Sequence, residues 1–176
     1  MYRNHQNGRA TGDLPVESAL HDDGTEVHIQ INLPGRSVNV KVWRVIIGHV
    51  SLFLLDTDLP DNSAEDRLIT HQLYGGDKTM RIQQEILLGI GGVRALLALG
   101  IKPTVWHSNE GHAAFMMLER ARNLVQQDLD FVSAIEAVAA STIFTTHTAV
   151  PAGHDHFTQA MMQEYFGLFC NDLKIT

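Results

Sequence analysis

The chain has 176 residues, a length that suits one domain or a large piece of one. Thirteen Lys and Arg stand against twenty Asp and Glu, a formal charge of −7, which lacks the basic face that general affinity for nucleic acid or anionic membrane requires. The single cysteine, Cys170, excludes an intramolecular disulfide and a multi-thiolate zinc site, and favours a reducing, cytoplasmic setting.

Residues 1–25 are polar and rich in turn formers (Gly8, Gly12, Pro15, Asp22-Asp23-Gly24) and read as an arm ahead of a domain over 26–176. Val27, Ile29 and Ile31 alternate with polar residues, as do Val38, Val40 and Val42. This is the period of half-buried strands, and Pro34-Gly35 between them predicts a hairpin. Val50 to Leu55 is more uniformly apolar, as in a strand buried on both faces. Ser63 followed by Asp66 resembles a capping arrangement and starts a short helix to about Leu73. Asp77 caps a longer helix to Gly100, with Pro103 beyond it. Its apolar run, 86–93, stops at Arg94, short of the ~20 residues of a membrane span. A strand over 103–107, a helix to about Gln127, a helix over 131–140, a strand over 142–146 and a weakly helical tail follow. Strands alternating with helices predict an α/β domain with a mostly parallel, helix-flanked sheet behind an N-terminal β-hairpin.

In such a sheet the ligand crevice lies beyond the carboxyl ends of the strands. Three strand ends carry polar clusters: Asp56-Thr57-Asp58, His107 to His112, and Thr146-His147-Thr148 with His154-Asp155-His156 after it. Asn109-Glu110-Gly111-His112 opens a helix, where free backbone N–H groups and hydrogen-bonding side chains suit a polyhydroxylated ligand. Simple capping by Asn109 explains the same residues. His147, His154 and His156 suggest a metal-dependent hydrolase, but the histidine spacing assigns no ligand set. Gly89-Ile90-Gly91-Gly92 follows a helical pattern, not a strand, so it reads as a close helix-packing site, not a phosphate loop. No G-x-S-x-G is present, and Cys170 has no partner for nucleophilic catalysis.

Taken in order, several segments carry a resemblance. They are Leu54-Leu55-Asp56-Thr57-Asp58-Leu59-Pro60-Asp61-Asn62-Ser63, Leu73-Tyr74-Gly75-Gly76-Asp77, Met80-Arg81-Ile82-Gln83-Gln84-Glu85, Gly89 to Leu96, Trp106-His107-Ser108-Asn109-Glu110-Gly111-His112-Ala113-Ala114-Phe115, and Phe144 to Asp155. Together they resemble the bacterial and archaeal branch of the α-glucan phosphorylases, from about Val27 to Phe157.

The resemblance implies a partial Rossmann-like domain of the glycosyltransferase type B fold, two such domains facing across a cleft. It implies transfer of a terminal α-1,4-linked glucose to inorganic phosphate, giving glucose 1-phosphate, with pyridoxal phosphate as the cofactor of the full-length enzyme. His112 matches the histidine against the glucosyl unit, with Asn109 and Glu110 before it; Arg81 and His147 match residues lining the same cleft. The gate loop corresponds roughly to Tyr74 to Asp77. The lysine that holds pyridoxal phosphate, and the substrate-phosphate residues, have no counterpart here. The chain is therefore expected to be an internal piece of the N-terminal domain, without catalytic residues, metal or bound cofactor, inactive alone, and prone to associate through surfaces built to meet absent elements. Its partners through the whole enzyme would be α-1,4-glucan and phosphate. A non-catalytic carbohydrate-binding or scaffold module is the alternative from another class.

Overall fold

The computed structural model describes residues 15–72, 76–147 and 155–175. Strand β2 (His28–Leu33) and strand β3 (Arg36–Ile47) form the expected hairpin. Leu33 opposes Arg36, leaving Pro34-Gly35 as the turn. Gly35 has a φ of 71°, which glycine adopts without a Cβ penalty. Ile29, Ile31, Leu33, Val38, Val40 and Val42 are buried on one face, as the alternation predicts. Strand β4 (Val50–Asp56) returns along the second half of β3. Strand β1 (Val16–Ser18), within the stretch read as an arm, pairs with β3 on the edge opposite β4, because Val45 faces both Val16 and Leu52.

This sheet corrects the expected topology. It has four strands and every pairing is antiparallel. Two-residue turns join β2 to β3 and β3 to β4, and so short a link cannot carry the chain back to start a parallel strand. Parallel pairing is confined, among the described residues, to strands β5 (Trp106–Asn109) and β6 (Thr142–Thr145), which two helices separate. Nor is β4 buried on both faces: it pairs with β3 alone, and Val50 is 66% exposed.

The Ser63–Asp66 pair bonds in both directions. The Asp66 N–H donates to Ser63 Oγ at 3.1 Å, and that hydroxyl donates to Asp66 Oδ2 at 2.8 Å. It caps only a 3₁₀ turn, Asp66–Leu68, and not a helix to Leu73. Asp77 caps as expected, accepting from the Met80 N–H at 3.0 Å. The helix it starts is interrupted, however: helix α1 (Lys78–Ile86) passes into a π-helical turn, Leu87–Gly91, and then into helix α2 (Gly92–Ala98). Such wide turns insert a residue and re-aim the helix. At Gly89 the turn lies against the backbone of the Phe115–Met116 segment; a methyl group there would sit 2.8 Å from Met116 N. Gly91 faces Ile31 and Leu55 of the sheet. The glycines are thus a packing site, as read from their helical context.

Helices α3 (Met116–Val125) and α4 (Phe131–Ala140) carry the chain from β5 to β6, and helix α5 (Gln159–Asp172) closes it. A second core joins Ala121 and Val125 of α3 to Ala134 and Val138 of α4 and to Leu173. Glu119 of α3 is fully buried and holds two arginines: Arg94 Nε at 2.8 Å and Arg122 Nη2 at 2.6 Å. Arg94 also donates to the Gln30 carbonyl at 2.7 Å. One ionic cluster therefore ties α2, α3 and the hairpin together. Burial pushes the Glu119 carboxyl up, but the bonds from Arg122 and Arg94 outweigh it and hold the carboxylate below its usual range.

Two neighbouring glycines should respond oppositely to alanine. Gly89→Ala forces a backbone shift and should destabilise the chain by roughly 1–3 kcal/mol in urea unfolding. Gly92, helical and facing open space, should instead gain up to about 1 kcal/mol. Equal effects of the two would contradict the close approach.

Candidate functional site

Strands β5 and β6 run in register, Asn109 opposite Thr145, so their carboxyl ends emerge side by side. Polar groups gather at this edge. Glu110 follows β5 and is buried. Its φ of 61° and ψ of −174° lie in a region almost reserved for glycine, a strain on the order of 1–3 kcal/mol. Interactions with the neighbouring strand end hold it there. The Glu110 N–H donates to the Thr145 carbonyl at 2.8 Å. Its carboxylate accepts from the His147 N–H at 2.9 Å and the Thr146 hydroxyl at 3.1 Å, and lies 3.2 Å from His147 Nδ1. The Glu110 carbonyl accepts from the buried Ser108 hydroxyl. One carboxylate thus fixes both strand ends.

The 3₁₀ turn Gly111–Ala113 follows and carries His112. Helix α1 brings Arg81 to it: Arg81 Nη2 lies 3.2 Å from His112 Nδ1. The same nitrogen lies 3.3 Å from Glu85 Oε1, one turn on, and donates to Asp155 Oδ2. Glu85 is pushed up to about 8, by burial first and then by the hydrogen bond and charge of Asp155, against the pull of Arg81. Burial also raises Asp155, but the bonds from Arg81 and Glu85 prevail and keep it ionised, below its ordinary value. The two carboxyls therefore share one proton, with Glu85 as donor and Asp155 as the counter-ion of Arg81.

Oxygens of Glu85 and Asp155 and a nitrogen of His112 lie within 4.8 Å of one another, a spacing that would suit a metal ion. The Arg81 guanidinium stands among them, so an internal cation already neutralises the group. The histidines weighed for a metal from sequence are a different set. His147 pairs with Glu110, and His154 lies outside the described residues, as do Thr148, Pro151 to Gly153 and, in the expected gate loop, Tyr74 and Gly75.

Of the residues singled out from sequence, His112 and Arg81 are in contact and His147 is tethered beside them through Glu110. Asn109 sits exposed at the end of β5. His107 meets the Thr145 hydroxyl at 2.7 Å. Asp56 does not join them. It ends β4 in the antiparallel sheet, and its oxygens accept from Trp43 Nε1, the Asp58 N–H and the Thr70 hydroxyl, a structural role. Sequence reading placed Asp155 in the third polar cluster without giving it a role, and missed Glu85 and the anchoring role of Glu110. The Arg81–Glu85 spacing of four was a legible signal; the pairing of Asp155 with Arg81, 74 residues away, had none.

The chain is 43% identical over 161 residues to the maltodextrin phosphorylase of Thermococcus litoralis, matching 92% of this chain and 19% of that protein. It is 45% identical over 159 residues to the glycogen phosphorylase of Mycobacterium tuberculosis and 34% identical over 160 to that of Aquifex aeolicus. The chain is similar to one stretch of the α-glucan phosphorylases. It spans 18–23% of the length of these phosphorylases while 86–92% of it is matched. No family model matches it. Among the described residues no helix is long and apolar enough to cross a membrane.

The carboxyl pair sets a pH dependence. Glu85 is held neutral in the fold, so between pH 4.5 and about 8 the folded chain binds more protons than the unfolded one. Its contribution to stability is complete below 4.5 and is lost as pH rises to about 8. Urea midpoints of the chain and of Glu85→Gln, followed through that window, should show the unsubstituted chain losing stability relative to the variant. A constant difference would mean that Glu85 is ionised in the fold.

Proposed function

We propose that this chain supplies one wall of the glucan cleft of an α-glucan phosphorylase. The whole enzyme would transfer a terminal α-1,4-linked glucose to inorganic phosphate and release glucose 1-phosphate. The observation that carries the reading is the convergence of His112, Arg81 and the Glu110-anchored His147 at one edge of a parallel strand pair, in a chain matched along nearly its whole length by phosphorylases. Imidazole, amide and guanidinium groups there suit the dense hydroxyl pattern of a sugar. We read Asn109 and His112 as the sugar contacts and His147 as a support for the cleft wall.

The glycosyltransferase type B architecture belongs to the same proposal. A parallel pair of four-residue strands is too small to stand as a sheet, since parallel strands are normally flanked by others and covered on both faces. Ile143 and Phe144, adjacent on β6 and so directed to opposite faces, are both about half exposed, which fits a larger sheet in the whole protein.

The residues of the site do not fit pyridoxal phosphate. Holding it calls for a lysine, and the cluster contains none. Lys41 bonds Glu26 and lies over the Trp43 ring, while Lys78, Lys102 and Lys174 are exposed. The chain alone is therefore proposed to be inactive.

Purified chain incubated with maltodextrin and phosphate should yield no glucose 1-phosphate; its appearance would overturn the fragment reading. Half a cleft also offers few contacts, so glucan affinity should be weak, with a Kd of ~1 mM or above, about −4 kcal/mol. In an NMR titration with maltoheptaose the amides of 107–112 and 145–147 should move, and His112→Ala should abolish the shifts. Shifts confined to the hairpin would refute the placement of the sugar.

A further inference from the structure

We infer that Arg81 is a positioning residue, fixing His112 as the neutral tautomer with its proton on Nε2, so that the imidazole meets a ligand as a hydrogen-bond donor to oxygen. The inference rests on the reading of His112 as a sugar contact, but its geometry stands apart from that reading.

A guanidinium has five N–H donors, no acceptor, and does not lose its proton in proteins. Any hydrogen bond between Arg81 Nη2 and His112 Nδ1, 3.2 Å apart, therefore runs from arginine to histidine. Nδ1 must present a lone pair. A proton there would set two N–H groups against each other, whether the ring were charged or neutral. The hydrogen of the ring accordingly belongs to Nε2, a tautomer chosen by the bond its other nitrogen makes.

The surrounding groups keep Arg81 in that task. Asp155 takes a bond from Nη2, and Glu85, which shares a proton with Asp155, lies 3.3 Å away on the next turn of α1. Two consequences follow. His112 serves neither as a base nor as an acceptor through Nδ1, and Nδ1 is closed to a metal as long as Arg81 holds it.

The test is a two-bond proton–nitrogen correlation spectrum of the chain labelled with ¹⁵N-histidine, the His112 signals being assigned by their loss in His112→Ala. The expected pattern for His112 is a pyrrole-like Nε2 and a pyridine-like Nδ1. Arg81→Gln, whose amide can donate or accept, should convert this to an average of the two tautomers, while Arg81→Lys, a donor like arginine, should retain it. Amide spectra of each variant report whether it folds; if Arg81→Gln does not, the unsubstituted chain still decides the question. A pyrrole-like Nδ1, a doubly protonated ring at neutral pH, or an unchanged pattern in folded Arg81→Gln would each overturn the inference. If the tautomer is as stated but maltoheptaose leaves the His112 signals unmoved, the glucan reading fails and the role of Arg81 stands.

Discussion

The architecture turns on one close approach, where the π-helical turn at Gly89 lies backbone to backbone against the Phe115–Met116 segment. Helix α1 is fixed to the antiparallel sheet on one side by buried Ile82 and Ile86 and by Gly91 against Ile31. Through Gly89 it is fixed on the other side to the segment leaving β5. Arg81 and Glu85, two turns and one turn before that glycine, are thereby set against the 3₁₀ turn that carries His112. A side chain at Gly89 would separate the two backbones and with them the two halves of the site. The ionic cluster of Arg94, Glu119 and Arg122 serves the same junction a few residues further along α2 and α3.

Buried charge is handled differently at the two places. Glu119 is wholly buried and stays ionised because two guanidinium groups face it. In the site a single cation, Arg81, faces two carboxyls, so one of them, Glu85, keeps its proton. Beside the neutral Glu85, Arg81 and Asp155 remain as one ion pair. Glu110 adds a second fixed element, a buried carboxylate in a glycine-like conformation that binds the backbone of His147. Strain of this kind persists where the surroundings over-determine it, and here it joins the ends of β5 and β6.

The chain matches phosphorylases over most of its own length and spans about a fifth of theirs (18–23%). The antiparallel sheet has a complete inner face, built from Ile29, Ile31, Leu33, Val38, Val40 and Val42. The parallel pair does not: Val105, Ile143 and Phe144 remain about half exposed around it. The well-packed region is the one that positions Arg81 and Glu85. Apolar surface is also exposed at the β3–β4 end of the antiparallel sheet, where Ile46, Ile47 and Val50 are 55–66% exposed.

The local elements were legible in the residues because their causes are local. Alternation of Val and Ile made the hairpin, Pro34-Gly35 its turn, Asp77 the start of α1, and the β-branched run at 142–145 the strand β6. The ordered motifs through His112 and His147 also pointed to the phosphorylase likeness before any coordinates. Sheet topology was not legible in the same way, since alternating strands and helices do not state which edge a strand meets. The two short turns that make the larger sheet antiparallel were outweighed by that pattern. The break in the long helix came from backbone packing at Gly89, and the site was completed by Asp155, which lies 74 residues from Arg81. Sequence by itself determined the local elements and where the polar residues fall along them. Tertiary structure alone decided which of them share a proton and which way each hydrogen bond runs, because those depend on burial and on distances between segments far apart in the chain.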